Sequence, residues 1–377
     1  MTIEPSTGAQ RVDLDALARL QTRIQTEIDE GRSLAAQYAI AVDGDVVATR
    51  TFGAATDDHR FVIFSATKTI VAMALLPHLA DGSLLLGRHV ADYLPEFGHN
   101  GKREVTVLQL LTMQGGFPYS VMSPEHWGTS AGRREQFAAW TLDWPAGAHT
   151  EYHPVSAHWV IAELLETLSG RPYAEVVHER VTAPAGVPAI LAPAVDGPVV
   201  AVRAHGEHPG TSPEVIDQLA AVFGRHDLIP AISIGPDALL SMNHPRVRSA
   251  CIPGGGGRAR AADVARTYQT FLADDSTWGR DAVGTVRNGS LNIGDNTPAS
   301  RTVAGCVAGD DGYHAHRWFP DAPRAFGHHG AGGQICWGDP DTGVSFSFLH
   351  DTLHQDPRVD FERSKAINAL VHACVLA

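Results

Sequence analysis

The chain has 377 residues, of which 44% are apolar and 19% charged, a composition typical of a globular protein with room for one large domain or two. Its formal charge of −13, without any Lys- or Arg-rich run, argues against nucleic acid or an anionic membrane surface as a partner. No basic segment followed by an apolar core opens the sequence, and no CxxC pair occurs, so we expect a cytoplasmic protein with reduced thiols. The four cysteines are Cys251, Cys306, Cys336 and Cys374.

The first predicted elements are a helix and a β-hairpin. Apolar residues recur at helical spacing between a candidate N-cap, Asp13, and a terminating glycine, Gly31. These apolar residues are Leu14, Leu17, Ile24 and Ile28. Residues 38–53 then contain two β-prone runs on either side of Asp43-Gly44, which is a strong signal for a hairpin turn.

The next element is the most apolar run of the chain, FVIFSATKTIVAMALLPHL, residues 61–79. A membrane span is excluded, because Lys68, Pro77 and His78 interrupt a run that would need about 20 mostly apolar residues. The pattern predicts a helix that opens near Ser65 and ends near Gly82, kinked or shortened by Pro77.

Lys68, one of only three lysines in the chain, needs an explanation in this apolar run. One interpretation is a core helix whose lysine extends its ammonium group to solvent. The other interpretation uses Ser65, three residues earlier and therefore on the same helical face. A desolvated lysine has a lowered pKa and can take the proton of a serine nucleophile.

The middle of the chain is predicted to be mostly helices and loops. Helices are expected within 105–118, stopped by Gly115-Gly116, within 154–170, starting at Pro154, and within 261–274. The region 183–260 is rich in proline, glycine and histidine, and long loops are expected there, including the glycine run before residue 261.

The carboxyl-terminal part is predicted to contain a second hairpin, residues 332–349, and a last helix with Ile367, Leu370, Val371 and Cys374 on one face. Pairing the two hairpins would give one antiparallel sheet, covered by the first and last helices. We therefore expect an α/β sheet domain from 1–88 and 300–377, and a mainly helical domain from 89–299.

A catalytic pair of Ser65 and Lys68 would need a third polar group to pass a proton to the leaving group. The candidate is Tyr152, in the segment GAHTEYHPVSAHW. A phenol beside an ammonium group is easier to deprotonate, so Tyr152 could exchange protons with Lys68 and serve a leaving group. The alternative is an ordinary aromatic residue at a helix entrance, and the spacing alone favours that alternative.

The order and spacing of four segments resemble the serine β-lactamase and penicillin-binding-protein superfamily, and most of all its class C-like and family VIII esterase branch. FSATK resembles the first motif, TEYHPVSAHWVIAELLETLSGRPY the second, and FGHHGAGGQICWGDPDTGVSFSFL the third. VTVLQLLTMQGGFP resembles the stretch after the nucleophile helix. The resemblance spans most of residues 35–375 and implies the β-lactamase-like fold outlined above, with the active site between the two domains.

The resemblance also implies roles for individual residues. Ser65 would be the acylated nucleophile, and Lys68 and Tyr152 the catalytic proton relay. The backbone N–H groups of Ser65 and Ala331 would form the oxyanion hole. The substrate would be bound along the third motif, which here consists of His328, His329 and Gly330.

Two motifs depart from the common pattern of the superfamily. The usual Tyr-x-Asn is Tyr152-His153-Pro154 here, and the usual Lys-Thr-Gly begins with His328. A permanent positive charge for a substrate carboxylate is therefore missing from the third motif. Both changes favour a less charged substrate, such as an ester or a lactone.

Two other residue groups suggest weaker hypotheses. His328, His329, His350 and His354 suggest a metal site, but no HExxH signature accompanies them. The GGGGR segment suggests a phosphate loop, but it lacks the following GK[ST]. We expect a cofactor-free serine hydrolase of esters. The alternatives are an amidase, a D-aminopeptidase, a weak β-lactamase, an acyltransferase, or a binding protein without turnover.

Overall fold

The computed structural model describes residues 12–375 except residue 211 and residues 225–234, with the side chain of residue 216 also undescribed. Residues 1–11 of the amino-terminal stretch in which no secretory signal was expected thus lie outside the described residues. Within the described residues, no helix combines the length and apolar character that crossing a membrane requires.

A six-stranded antiparallel sheet forms the centre of the molecule, in the spatial order β2-β1-β9-β8-β7-β6. Two further two-stranded pairings, β3 with β5 and β10 with β4, lie outside it. The strands are β1 Ala35–Val42, β2 Asp45–Gly53, β3 Phe61–Val62, β4 Arg203–His205, β5 Arg258–Ala259, β6 Cys306–Val307, β7 Phe326–Gly327, β8 Ile335–Asp339, β9 Val344–His350 and β10 Thr352–His354.

Both predicted hairpins are confirmed, and they join as expected through β1 and β9, whose register pairs Ala36 with His350. In the first turn, Asp43 and Gly44 have φ values of 51° and 92°, the left-handed conformation that a two-residue hairpin loop requires. The short strands β6 and β7, which extend the sheet toward the third motif, were not predicted.

The helices cover both faces of this sheet and build the rest of the molecule. They are α1 Leu14–Asp29, α2 Thr67–Met73, α3 Leu76–Ala80, α4 Val107–Leu111, α5 Ser130–Ala139, α6 Ser156–Ser169, α7 Tyr173–Val177, α8 Pro213–Phe223, α9 Pro236–Leu240, α10 Pro245–Ser249, α11 Ala261–Ala273, α12 Thr277–Gly284 and α13 Pro357–Ala373. A π-helical turn, His178–Thr182, follows α7.

Packing on the sheet follows the pattern of apolar residues. Helices α1 and α13 pack against each other and share an apolar cluster with the side chains of one sheet face. Helix α11 packs against β1, β8 and β9, with side chains of the second apolar cluster. It comes from the segment assigned to the helical domain, and the division into two domains remains a prediction.

Three local expectations need correction. Of the four apolar residues at helical spacing, Ile24 is buried but Leu14 is 75% exposed, because α1 turns Ala16 and Leu20 inward. Helix α6 starts at Ser156, so Pro154 precedes it rather than opening it.

The third correction concerns the expected long loops of 183–260, part of which lies outside the described residues. A long loop is present at 187–202, but the described residues of this region also form the helices α8, α9 and α10, each of which begins with a proline at its first position. Proline is favoured there because its fixed φ suits the helix and its missing N–H would have no intrahelical partner.

Candidate functional site

Ser65 lies in a short turn that links the β3–β5 pairing to α2. Residues Phe64–Ala66 form a single 3₁₀ turn, and α2 continues from Thr67, so the predicted helix begins less regularly than expected. Phe64 has a φ of 45°, which is uncommon for a bulky side chain and turns the chain sharply just before the serine. The predicted interruption near Pro77 is confirmed, because α2 ends at Met73 and α3 starts at Leu76.

The structure brings Ser65, Lys68 and Tyr152 into direct contact. Lys68 Nζ lies 3.0 Å from Ser65 Oγ, and the Tyr152 hydroxyl lies 2.8 Å from the same oxygen. Lys68 also donates a hydrogen bond of 2.6 Å to the carbonyl oxygen of Gly254, and its Nζ lies 5.1 Å from the centroid of the Tyr152 ring. Lys68 is 1% exposed, which excludes the solvent-reaching interpretation.

Electrostatics favour the neutral amine at Lys68. Burial lowers its pKa well below the usual value, and the positive charge of Arg301 lowers it further. A neutral amine has one lone pair, which is in place to accept the Ser65 hydroxyl proton while an N–H bonds to Gly254. The side chain is therefore arranged as a proton acceptor.

The expected ease of deprotonating Tyr152 is wrong. Burial raises the pKa of its phenol to about 12, although its hydrogen bond with Ser65 and the charge of Arg301 act in the opposite direction. Loss of solvation outweighs the attraction of nearby cations, the more so because Lys68 itself tends to be neutral. Tyr152 is a proton donor in the resting site rather than a phenolate.

The third motif lies beside the turn that carries Ser65. A Cβ at Gly330 would come within 2.3 Å of the carbonyl oxygen of Ile63, so only glycine permits this close approach. Ala331, the next residue, packs against the apolar cluster that contains Phe64 and Val62. Its backbone is thereby held close to the segment leading into the serine.

His328 and His329 are neutral members of the site. Burial lowers the pKa of His328 well below its usual value and that of His329 to about 3, and Arg301 adds to both effects. The His328 ring lies 5.7 Å from the Tyr152 ring, and its Nδ1 lies 2.7 Å from the carbonyl oxygen of His329. Nδ1 therefore carries the hydrogen, and the buried Nε2, which has no hydrogen-bond partner among the described residues, is an acceptor.

Two parts of the site were missed by the sequence analysis. The glycine run before α11 was interpreted as a flexible loop, yet residues 253–257 are buried and supply the Gly254 carbonyl to Lys68. Gly257 N also donates to Thr67 Oγ1, which ties this loop to α2. Arg301, whose guanidinium carbon lies 5.3 Å from the Tyr152 ring centroid, had no sequence motif that could have revealed it.

The four histidines considered for a metal site do not converge. His350 Nε2 lies 3.1 Å from the Arg363 guanidinium, and the His354 ring lies edge-on to that of His205, whereas His328 and His329 lie next to Tyr152 and Trp318 respectively. Within the described ranges no group of three or more His, Cys, Asp or Glu side chains is arranged to hold a metal ion.

Comparison with known proteins connects this geometry to a family. The Beta-lactamase family model matches residues 20–369. The chain is 25% identical over 303 residues to the esterase/beta-lactamase LipL of Mycobacterium tuberculosis, covering 78% of this chain and 69% of the relative. It is 27% identical over 197 residues to the esterase EstB of Burkholderia gladioli, covering 45% of this chain and only 50% of that relative.

Solved structures share the fold over nearly the whole chain. EstA from Arthrobacter nitroguajacolicus Rue61a superposes with a TM-score of 0.75 at 20% identity, covering 95% of this chain and 97% of that one. A penicillin-binding protein homologue from Caulobacter crescentus superposes with a TM-score of 0.72 at 24% identity, covering 94% and 98%. The β-lactamase-like fold expected from the sequence is thus confirmed, and the chain belongs to the Beta-lactamase family, whose members include esterases.

Proposed function

We propose that this protein is a serine hydrolase that cleaves carboxylic esters or related small acyl substrates through an acyl-enzyme. The observation that carries the proposal is the position of Ser65 Oγ, within 3.0 Å of a lysine amine and 2.8 Å of a phenol. A hydroxyl between a proton acceptor and a proton donor is suited to nucleophilic attack followed by protonation of a leaving group. The esterase names of two relatives support the choice of substrate class.

The first half-reaction uses both neighbours of the serine. Ser65 Oγ attacks the substrate carbonyl carbon while the neutral amine of Lys68 takes its proton. The tetrahedral intermediate then collapses, the C–O bond to the alcohol breaks, and Tyr152 donates its proton to the departing oxygen. The proton held by Lys68 returns to the Tyr152 oxygen, which restores the neutral pair and leaves Ser65 acylated.

The acyl-enzyme is then released by water, with the same pair moving the protons in reverse order. Throughout, the backbone N–H groups of Ser65 and Ala331 are proposed to bind the oxygen that becomes negative. The contact between Gly330 and Ile63 supports this role, because it holds the Ala331 backbone next to the serine turn. No cofactor or metal ion is needed for any of these steps.

Active-site labelling tests the nucleophile. A fluorophosphonate should modify wild-type protein once, on Ser65, and mass spectrometry of the digested protein should locate the adduct. Ser65→Ala should abolish both labelling and hydrolysis of p-nitrophenyl butyrate, while Ser123→Ala, outside the site, should change neither. Labelling at another residue, or an active Ser65→Ala variant, would contradict the proposal.

A substrate panel separates the proposed esterase from other members of the fold. Nitrocefin, a D-amino acid amide and a p-nitrophenyl ester, each offered with water or with an added alcohol, distinguish β-lactamase, amidase, esterase and acyltransferase activity. We expect the ester to be turned over fastest. Failure of every substrate to react would instead support a binding protein without turnover.

A further inference from the structure

Arg301 places a permanent positive charge beside the candidate proton donor. Its guanidinium carbon lies 5.3 Å from the centroid of the Tyr152 ring, and the Tyr152 hydroxyl contacts Ser65. The side chain is half-buried, so it is both close to the site and accessible to a small molecule. Its charge lowers the pKa of Lys68, His328 and His329, in each case after the larger effect of burial.

This guanidinium lacks a carboxylate partner within the described part of the chain. Arg287, whose backbone N–H donates to the Arg301 carbonyl oxygen, pairs with Asp281 at 2.5 Å, and Arg317 pairs with Asp311. Among the described residues, the side chain of Arg301 contacts the Tyr152 ring and makes no hydrogen bond or ion pair. Glu151, the residue before Tyr152, does not supply this carboxylate either. Its buried carboxyl has a raised pKa, because burial and the charge of Asp295 both disfavour its ionised form.

The backbone of Arg301 is firmly held, which is expected of a residue that must aim a side chain. Its N–H donates to the Asn288 carbonyl oxygen at 2.8 Å, and its carbonyl oxygen accepts from Arg287 N at 2.7 Å. The buried amide of Asn288 donates in turn to Thr112 O and to Thr150 Oγ1, both at 3.0 Å. This chain of contacts fixes Arg301 relative to the segment that carries Tyr152.

The charge also has no substitute in the third motif. His328 is buried and neutral. Its Nδ1–H is bonded to the His329 carbonyl oxygen and its Nε2 is an acceptor, so it has neither a charge nor a donor for an anion. A permanent positive charge is supplied from outside the motifs, by Arg301, which the sequence analysis did not consider. An unpaired guanidinium is well suited to a carboxylate, which it can bind with two parallel hydrogen bonds.

We propose that Arg301 binds a carboxylate on the leaving-group portion of the substrate, so that the preferred esters are those of small acidic alcohols or phenols. The carboxylate is assigned to the leaving group because of the role of Tyr152, which protonates the leaving oxygen and lies directly against Arg301. The inference rests on the proposed hydrolase function where it assigns the carboxylate to the leaving group and names the reaction. The binding of the anion itself does not depend on that function.

A matched pair of esters tests the preference. 3-Acetoxybenzoate carries the charge on the leaving group, and 3-acetoxybenzamide is its neutral counterpart with the same acyl group. Wild-type protein should hydrolyse the anion with the higher kcat/KM, through a lower KM. Arg301→Gln should reduce the anion-to-neutral ratio of kcat/KM by roughly 10- to 100-fold, the usual effect of losing a charge-assisted hydrogen bond.

Two further variants exclude indirect effects. Arg301→Lys should recover part of the ratio, because it keeps the charge and loses the bidentate geometry. Arg287→Gln removes a paired cation from the same loop and should leave the ratio unchanged. A ratio that is the same in wild type and in Arg301→Gln overturns the inference, even if the variant has an altered pH profile, because Arg301 would then act only on the charges of the site.

Binding of the product separates this inference from the proposed function. Calorimetry should show that 3-hydroxybenzoate binds wild type at least about tenfold more tightly than it binds Arg301→Gln, whereas 3-hydroxybenzamide should not distinguish them. If neither ester is hydrolysed but the acid still shows this difference, the hydrolase proposal fails and the anion site stands. Equal affinities for the acid overturn the anion site whatever the activity.

Discussion

Two buried lysines, Lys68 and Lys102, occupy closely similar surroundings and differ in what they touch. Both are at most 1% exposed. Both donate to backbone carbonyl oxygens, Lys68 to Gly254 and Lys102 to His99 and Trp140. Each also lies over an aromatic ring, at 5.1 Å from the centroid of Tyr152 and 5.8 Å from that of Phe97.

The difference is the presence of a reactive partner. Burial lowers the pKa of Lys102 to about 8, and no other charge contributes. At Lys68 burial acts together with Arg301, and the amine faces a serine hydroxyl. A perturbed lysine therefore indicates a functional site only when a group that can exchange its proton lies beside it.

The largest expected effect concerns Lys68. Lys68→Met should lower kcat for p-nitrophenyl butyrate by about 10²- to 10⁴-fold, because the serine loses its proton acceptor. The variant should remain folded, since methionine fills a similar volume and suits a helix. Steady-state kinetics and circular dichroism on the same sample check both statements. A folded variant with wild-type kcat would place Lys68 in the same structural class as Lys102.

Lys102→Met should have the opposite profile, with kcat within about twofold of wild type because no reacting group contacts it. Its effect should be on stability. The folded-state pKa of about 8 lies below the unfolded value of 10.5, so between these values the folded chain binds fewer protons, and wild-type stability rises with pH.

The methionine variant lacks this gain and also leaves the carbonyl oxygens of His99 and Trp140 without their donor. It should be less stable than wild type by roughly 1–2 kcal/mol at pH 9.5, and by less at pH 6.5. Urea unfolding at the two pH values measures the difference. A stability loss that grows as the pH falls would reverse the sign assigned to this lysine.

The smallest effect is on the pH dependence of turnover. Activity should rise with pH as Lys68 loses its proton and then reach a plateau, because the neutral amine is the acting form. Arg301→Gln should move this rise to higher pH by less than about one unit, since a nearby cation no longer disfavours the charged amine. Lys102→Met should not move it. An unshifted rise in Arg301→Gln would show that burial alone sets the basicity of Lys68.

Local sequence patterns were sufficient for much of the fold. The Asp43-Gly44 turn and the alternating apolar residues of the second hairpin predicted β1, β2, β8 and β9. Their pairing could be inferred because each hairpin left an apolar face and an open edge. The Ser65, Lys68 and Tyr152 contact was predicted through the resemblance, since 87 residues separate Tyr152 from Ser65 and no local pattern could bring them together.

The remaining parts of the site depend on contacts that a sequence pattern does not encode. A backbone carbonyl such as that of Gly254 is present at every position, so its selection by Lys68 is visible only in three dimensions. Arg301 is one arginine among many, distinguished by the carboxylate that it does not contact. The prolines of 183–260 were assigned to loops because a helix start and a turn use the same residue for the same restriction of φ.

The register that pairs Ala36 with His350 also determines when the molecule can form during its synthesis. Strand β1 lies between β2 and β9, so one of its edges stays open until β9 has been made, since the partner of Ala36 lies 314 residues later in the chain. Until then a fully buried strand presents its apolar side chains and unpaired backbone to other chains. The growing chain therefore passes through a long interval of exposure to aggregation, and the sheet can be completed only after β9 has been made.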